Sequence, residues 1–331
     1  MPGRTWLKDA EGSQHTTIQI EIVEIDRALS QTMAAPTLVL KGAFTAMVTP
    51  FTEDGLAVDY EQLKENVEFQ IAQGINGLVP CGTTGECPTI SHDEHEKVID
   101  IVVKTVAGRV PVIAGTGSNC TAEAVRLTSA AKASGADAAL IVNPYYNKPG
   151  QRGLFEHFKT ICSVGLPVVL YNIPSRTGIK MDPATVAELH RQFPEIVAIK
   201  EATGSLDQAT EIATLCDIQI LSGDDSLTLP LMSVGGTGVI SVASNASPKK
   251  VLAITDAAAA GNYAAAREAH LAVFNLCKAF FVEPNPQPIK AAMHMMGMCN
   301  ETVRLPLVSA SDETKALLKA TLTTAGLLAA E

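Results

Sequence analysis

Residues 196–204 read IVAIKEATG. Four apolar residues, Ile196, Val197, Ala198 and Ile199, have the length and β-branched content of a strand buried on both faces, as strands of parallel sheets are. Lys200 follows at once, and Gly204 closes the turn. A lysine at the carboxyl end of such a strand stands at the mouth of an α/β fold, where its amine can be partly desolvated. Desolvation disfavours the ammonium, and the neutral amine attacks carbonyl carbon. Lowering a lysine pKa from about 10.4 to about 7–8 takes roughly 4 kcal/mol of environment, which a dry pocket supplies and an open surface does not. Taken alone, the stretch fits equally a strand-ending lysine that reaches into water. The rest of the chain decides.

On both sides of this stretch the same rhythm recurs from Gly42 onward: an apolar run, a polar or Gly-rich end, then a helical pattern. The runs are AFTAMVTP (43–50), GLVPCGTTG (77–85), VPVIAGTG (110–117), DAALIVNPYY (137–146), LPVVLYNIPSRTG (166–178), IVAIKEATG, IQILSGDD (218–225) and GVISVASN (238–245). Their ends lie about 20–35 residues apart, the size of a strand–helix unit. Between them stand helix signals: Asp59 with Gln62, then Gly74; a Ser91/Glu94 capping box; Gly135 after a helix that begins near Thr121; and Asp182–Pro183 and Ser247–Pro248, a cap followed by proline. Eight such units predict an α/β fold, a (β/α)8 TIM barrel over 41–261. A doubly wound open sheet is the alternative, but no GxGxxG turn follows the first strand. After about residue 250 the strand signals stop. Ala-rich helical patterns follow, read as a C-terminal helical appendage (262–331) used for packing or assembly.

Residues 1–40 are expected to form a poorly ordered N-terminal extension, although TIQIEIVEI (17–25) alternates like a strand. Met33 stands just ahead of the first domain signals, so residues 1–32 read as an upstream extension of the reading frame.

Composition narrows the function. Of 331 residues, 47% are hydrophobic and 18% charged, enough for one large core. The formal charge of −10, with no Lys/Arg block, excludes an electrostatic footprint for nucleic acid. Seven scattered cysteines with no CxxC pair argue for a reducing compartment, and against a disulfide framework or a cysteine metal site. No apolar run reaches the ~18 residues of a membrane helix, and the N-terminus lacks a signal-peptide core. A cytoplasmic location is expected.

A barrel carries its active site at the carboxyl ends of its strands. There the chain places Gly82-Thr83-Thr84-Gly85-Glu86, which suits a small anion nest or simply a tight strand–helix turn. Tyr145 and Tyr146 follow strand four and Tyr171 ends strand five, as proton-relay phenols or as rim packing. Arg176 suits a carboxylate grip or a plain surface position. Lysine, hydroxyl nest, phenols and arginine together suit Schiff-base chemistry on a small keto acid, with no metal and no organic cofactor. His92 and His95, three apart on one helix, lack a third metal ligand and read as a solvated face.

GTTGE (82–86), VIAGTGSN (112–119), NPYYNKPGQ (143–151), LYNIPSRTG (170–178), IKEATG (199–204), LSGDDS (221–226), GVISV (238–242) and FVEPNPQPIK (281–290) occur in one order along the chain. From about Gly42 to the C-terminus this resembles the dihydrodipicolinate synthase family of pyruvate-dependent class I aldolases. The resemblance implies condensation of pyruvate with aspartate 4-semialdehyde on the path to diaminopimelate and lysine. It implies Lys200 as the Schiff-base lysine, Tyr171 as the proton-transfer phenol, and Thr83 and Tyr146 as the rest of a relay. It further implies Thr84 and Ile240 at the pyruvate, Arg176 at the aldehyde's carboxylate, and a homotetramer (a dimer of dimers) in which Tyr146 enters a neighbour's site. A lysine effector site is implied at His92, His95, Asn119, Glu123 and Tyr145. Cys87 and Pro88 stand where a feedback-sensitive form is expected to carry a small Ser/Ala pair. N-acetylneuraminate lyases typically carry GSTGE and lack the arginine of PSRTG, so the GTTGE turn of Thr83 and Thr84, with Arg176, favours the synthase. Hydratase-aldolases and keto-deoxy-sugar aldolases remain alternatives, and a silent amino-acid-sensing barrel is a distant one.

Overall fold

The computed structural model describes residues 38–329. The expectations for an extension over 1–40 and a strand over 17–25 therefore fall almost wholly outside the described residues. From Leu40 onward the chain forms one compact unit.

Eight strands lie where the runs predicted them: β1 Gly42–Ala46, β2 Gly77–Val79, β3 Ile113–Gly115, β4 Ala138–Val142, β5 Val168–Asn172, β6 Ile196–Glu201, β7 Gln219–Ser222 and β8 Gly238–Ser241. All pair in parallel, in the order β2-β1-β8-β7-β6-β5-β4-β3. The two ends of that sheet meet through a parallel bridge between Leu78 and Val112 and a hydrogen bond from Leu78 N to Pro111 O of 3.0 Å. The sheet is thereby closed into a barrel with helices between its strands, and the open-sheet alternative falls.

The helices are α1 Tyr60–Ala72, α2 His92–Val106, α3 Thr121–Ser134, α4 Gln151–Cys162, the short α5 Pro174–Thr177, α6 Pro183–Gln192, α7 Leu206–Leu215, α8 Thr228–Ser233, α9 Pro248–Ala259, α10 Tyr263–Ala279, α11 Gln287–Met295 and α12 Asp312–Thr324. Their boundaries follow local chemistry. Asp59 accepts from Gln62 N to start α1, both halves of the Ser91/Glu94 box are made at α2, and Gly135 closes α3 at φ 87°. Pro183 and Pro248 open α6 and α9 as expected, but neither Asp182 nor Ser247 makes a capping hydrogen bond. There the fixed φ of proline, not a side-chain cap, starts the helix.

One continuous core joins barrel and C-terminal helices. Leu78, Ile199 and Val239 of the strands belong to the same buried cluster as Leu276 and Phe280 at α10, Ile289 and Ala292 of α11, and Leu318 and Leu322 of α12. Each of these valine, leucine, isoleucine and phenylalanine side chains stabilises by about 1.5–3 kcal/mol through burial alone. The C-terminal helices are integral to that core. Phe280→Ala is expected to cost about 3–5 kcal/mol, the usual loss for a fully buried phenylalanine, as read by urea denaturation. A change below 1 kcal/mol would show that Phe280 packs loosely.

Candidate active site

Because all eight strands run the same way, their carboxyl ends converge on one face, and there β5 and β6 bring two reactive groups together. Tyr171 and Lys200 are partners in the strand register, and the Lys200 amine lies 4.4 Å from the centroid of the Tyr171 ring. Both are buried. Burial lowers the lysine to about 8, against the opposing pull of the Asp225 and Asp224 carboxylates. At pH 7 roughly a tenth of such an amine is unprotonated, about two hundred times the fraction for an ordinary lysine. Burial also pushes the Tyr171 phenol up to about 12, although Arg176 and a hydrogen bond with Thr83 act in the other direction. The phenol is therefore held as a proton donor at neutral pH. Gly223 allows this crowding: a Cβ there would stand 3.2 Å from Lys200 Cε and 2.5 Å from Ala202 Cβ.

The GTTGE turn stands beside this pair. The N–H groups of Gly85, Glu86 and Cys87 bond back to the carbonyls of Gly82 and Thr83. Those of Thr83 and Thr84 have no protein acceptor among the described residues, which leaves two donors for an anion. Gly85 is favoured by proximity, since a Cβ would lie 3.0 Å from Cys81 N and 3.2 Å from Met47 O. Thr84 is buried, and its hydroxyl accepts from Asn285 Nδ2 at 2.9 Å. Arg176, on the one-turn helix α5, is exposed and donates to Asn285 O at 3.4 Å. Ile240 is fully buried in β8, in register with Phe44 of β1.

Tyr146 is not brought to Tyr171 within this chain. It follows β4 at φ 69° and is 90% exposed.

His92, His95, Asn119, Glu123 and Tyr145 gather on one side. His92 Nε2 meets Glu123 Oε1 at 2.9 Å, and the other Glu123 oxygen accepts a short bond from Ser118 Oγ. These contacts, Ser118 first, hold the Glu123 carboxyl below its usual range. Asn119 Nδ2 donates to Tyr145 O at 3.2 Å. His95 departs from the solvated-face reading: it is buried, its Nε2 meets Gly115 O at 2.8 Å, and its Nδ1 has no partner among the described residues. Burial lowers its pKa, so the ring is neutral at pH 7. His92, His95, Glu123 and Tyr145 line a cavity of about 430 Å³ that also takes in Cys87, Pro88, Thr83 and Arg176. Thr83 and Cys87 line in addition a small cleft of about 30 Å³ that reaches Tyr171. The two candidate sites are thus contiguous.

Two contributors escaped the sequence reading. Asp225 accepts from Ser241 Oγ and from the N–H groups of Val242 and Ala243, at 3.0 and 3.1 Å, and so fixes the end of β8. Asn285 joins Thr84 to Arg176. The LSGDDS and EPNP stretches held both residues in view, but a contact across 201 residues has no local periodicity to betray it.

A model of the dihydrodipicolinate synthetase family matches residues 39–325. The chain belongs to that family. Among relatives, the 4-hydroxy-tetrahydrodipicolinate synthase of Pelobacter propionicus is 51% identical over 293 residues, 88% of this chain and all of that protein. A crystal structure of the Aquifex aeolicus dihydrodipicolinate synthase superposes with a TM-score of 0.85 at 47% identity, covering 87% of this chain and 99% of that one. The lysine-bound enzyme of Cyanidioschyzon merolae does so at 0.85 and 39%, covering 87% and 99%. No helix among the described residues is long and apolar enough to cross a membrane.

With the amine at about 8, the rate of borohydride trapping of pyruvate should rise with pH and level off above about 8, because only the unprotonated amine attacks. A rate still climbing tenfold per unit at pH 10 would mean that the amine is as wet as an ordinary lysine.

Proposed function

We propose that this chain catalyses the 4-hydroxy-tetrahydrodipicolinate synthase reaction, condensing pyruvate with L-aspartate 4-semialdehyde. One observation carries the chemistry: a buried lysine amine, lowered to about 8, against the ring of a buried tyrosine whose phenol is held protonated. Lys200 Nζ adds to the C2 carbonyl of pyruvate and expels water, giving a Schiff base. Loss of a methyl proton converts this to an enamine, whose terminal carbon bonds to the aldehyde carbon of the second substrate. The amino group of that substrate then displaces Lys200, closing the ring and freeing the amine. The net products are the cyclic hydroxy acid and one water, and the covalent lysine takes the place of a cofactor.

Tyr171 is the proton-transfer group, and Thr83 hands protons between it and the mouth, a role supported by the Thr83 hydroxyl acting against the upward shift of the Tyr171 phenol. Thr84 and the free N–H groups of the turn hold the pyruvate carboxylate, Ile240 lines that pocket, and Arg176 takes the carboxylate of the semialdehyde. Tyr146 completes the relay from a neighbouring subunit; its exposure beside a site that lacks it supports this, and with it a homotetramer, which sedimentation would test. The cavity with Glu123 at its side is read as a lysine effector site, Glu123 taking the ammonium and neutral His95 an N–H. The lysine-bound relative from Cyanidioschyzon merolae supports that reading. The seven unpaired cysteines support a reducing, cytoplasmic setting. On this reading the barrel spans 41–261 and the helical segment 262–331.

Turnover of pyruvate with aspartate 4-semialdehyde, coupled to a dihydrodipicolinate reductase, tests the activity, and the same assay with lysine tests the effector site. No turnover with trapping intact would redirect the search to another aldehyde. Lys200→Ala should abolish trapping; a persisting adduct would put the nucleophile elsewhere. Tyr171→Phe should slow turnover by roughly 10²-fold, as for loss of general acid–base help. An unchanged rate would remove it from the relay.

A further inference from the structure

The turn that carries Thr83 and Thr84 is bounded by two residues in the left-handed region, Cys81 at φ 56° and Glu86 at φ 55°. Side chains with a Cβ hold that conformation only where the surroundings over-determine it. Here they do. Thr49 Oγ1 donates to Gly85 O at 2.7 Å, and Asn285 Nδ2 to the Thr84 hydroxyl at 2.9 Å. Glu86 Oε1 receives Lys290 Nζ at 2.6 Å, while Oε2 receives Arg304 N–H at 3.0 Å. Both side chains of the Glu86–Lys290 pair are wholly buried. Lys290 also donates to Thr302 O at 2.8 Å and sits 4.0 Å from the centroid of the Phe51 ring.

A wholly buried ion pair is a poor source of stability, because desolvating two charges offsets most of their attraction, and apolar residues of similar volume often do as well. What this pair supplies is direction. Each charged group is fixed by at least one further hydrogen bond, so the Glu86 side chain has one orientation available to it. The backbone N–H of Glu86 in turn donates to Thr83 O at 3.1 Å. An error in the placement of Glu86 therefore reaches Thr83 through a single hydrogen bond. Asn285, Lys290 and Arg304 all lie beyond the last strand, so three anchors of this turn come from the C-terminal segment.

We propose that Glu86 and Lys290, with Asn285 beside them, are positioning residues: the C-terminal segment acts through them to hold Thr83 and Thr84 in catalytic register. The proposal rests on the roles given above to those threonines. It assigns a task to the helical segment beyond packing or assembly.

The test compares the full-length protein with a Glu86→Gln/Lys290→Met double variant, which removes both charges and strands neither. Three quantities are read: melting temperature, exchange of the pyruvate methyl protons in D2O, and condensation with aspartate 4-semialdehyde. Exchange needs pyruvate alone, so it judges the positioning whether or not the aldehyde is assigned correctly. The double variant is expected to melt within a few degrees of the parent and still to be trapped by borohydride at saturating pyruvate. Exchange and condensation should both fall at least tenfold, with a raised KM for pyruvate. A folded double variant that keeps both rates within twofold would overturn the proposal and leave the pair a structural brace. Asn285→Ala, which cuts the bond to Thr84 and leaves the ion pair whole, covers the case in which the double variant does not fold. It should lower exchange several-fold, and an unchanged rate there counts equally against the proposal. A parent chain that exchanges no pyruvate protons overturns both this and the Schiff-base reading, whereas exchange without condensation overturns the aldehyde alone.

Discussion

An amine becomes a nucleophile at neutral pH only if water is kept from its ammonium form, and much of this structure can be understood as the means of keeping Lys200 dry. A parallel barrel does this economically. Its strands are covered by helices outside and by packed side chains within, so a lysine on the last turn of a strand has only the mouth to reach into. The opposing force is the pair of carboxylates at 224 and 225, which favour the charged form and keep the pKa from falling further. A value near 8 is the balance of the two. It leaves the amine available as a base as well as a nucleophile.

The same dryness raises the demands on every neighbour. The Tyr171 phenol resists ionisation for the reason that the lysine resists protonation, and the two tendencies suit each other: the amine is free to attack beside a phenol that keeps a proton to give. Asp225, equally buried, is tolerated because a serine hydroxyl and two backbone N–H groups satisfy its carboxylate. In satisfying it they also secure the end of β8. Groups that serve the chemistry thus double as struts of the fold, and neither duty can be altered alone.

Around this centre the openings are polar. Arg176 is exposed at the rim, Tyr146 stands out in solvent, and one cavity runs from Thr83 and Arg176 past Cys87 to Glu123 and His95. A ligand ammonium held by Glu123 would lie in the same cavity as the groups at the active-site mouth. Its influence on catalysis would need no long pathway through the protein, only the shared wall formed by Thr83 and Cys87.

The barrel was legible in the chain because its cause is local: each apolar run, each Gly or Pro stop and each capping pair such as Ser91 with Glu94 acts within a few residues of itself. The places of Lys200, Tyr171, Thr83 and Arg176 at or just beyond strand ends were legible for the same reason, since a strand's carboxyl end is recognisable wherever a buried run gives way to polar residues. The hydrogen bond from Asn285 to Thr84, the pairing of Glu86 with Lys290 and the capping of β8 by Asp225 were not. They join residues 201, 204 and 17 positions apart, and only closure of the barrel and docking of the C-terminal helices brings them together. His95 shows the limit most plainly. As a residue on an amphipathic helix it reads as solvated, and it is the packing of α2 against the barrel that buries its ring and leaves one nitrogen without a partner among the described residues. Periodicity reports which face of an element is apolar, whereas burial of a polar group depends on what the rest of the chain lays over it.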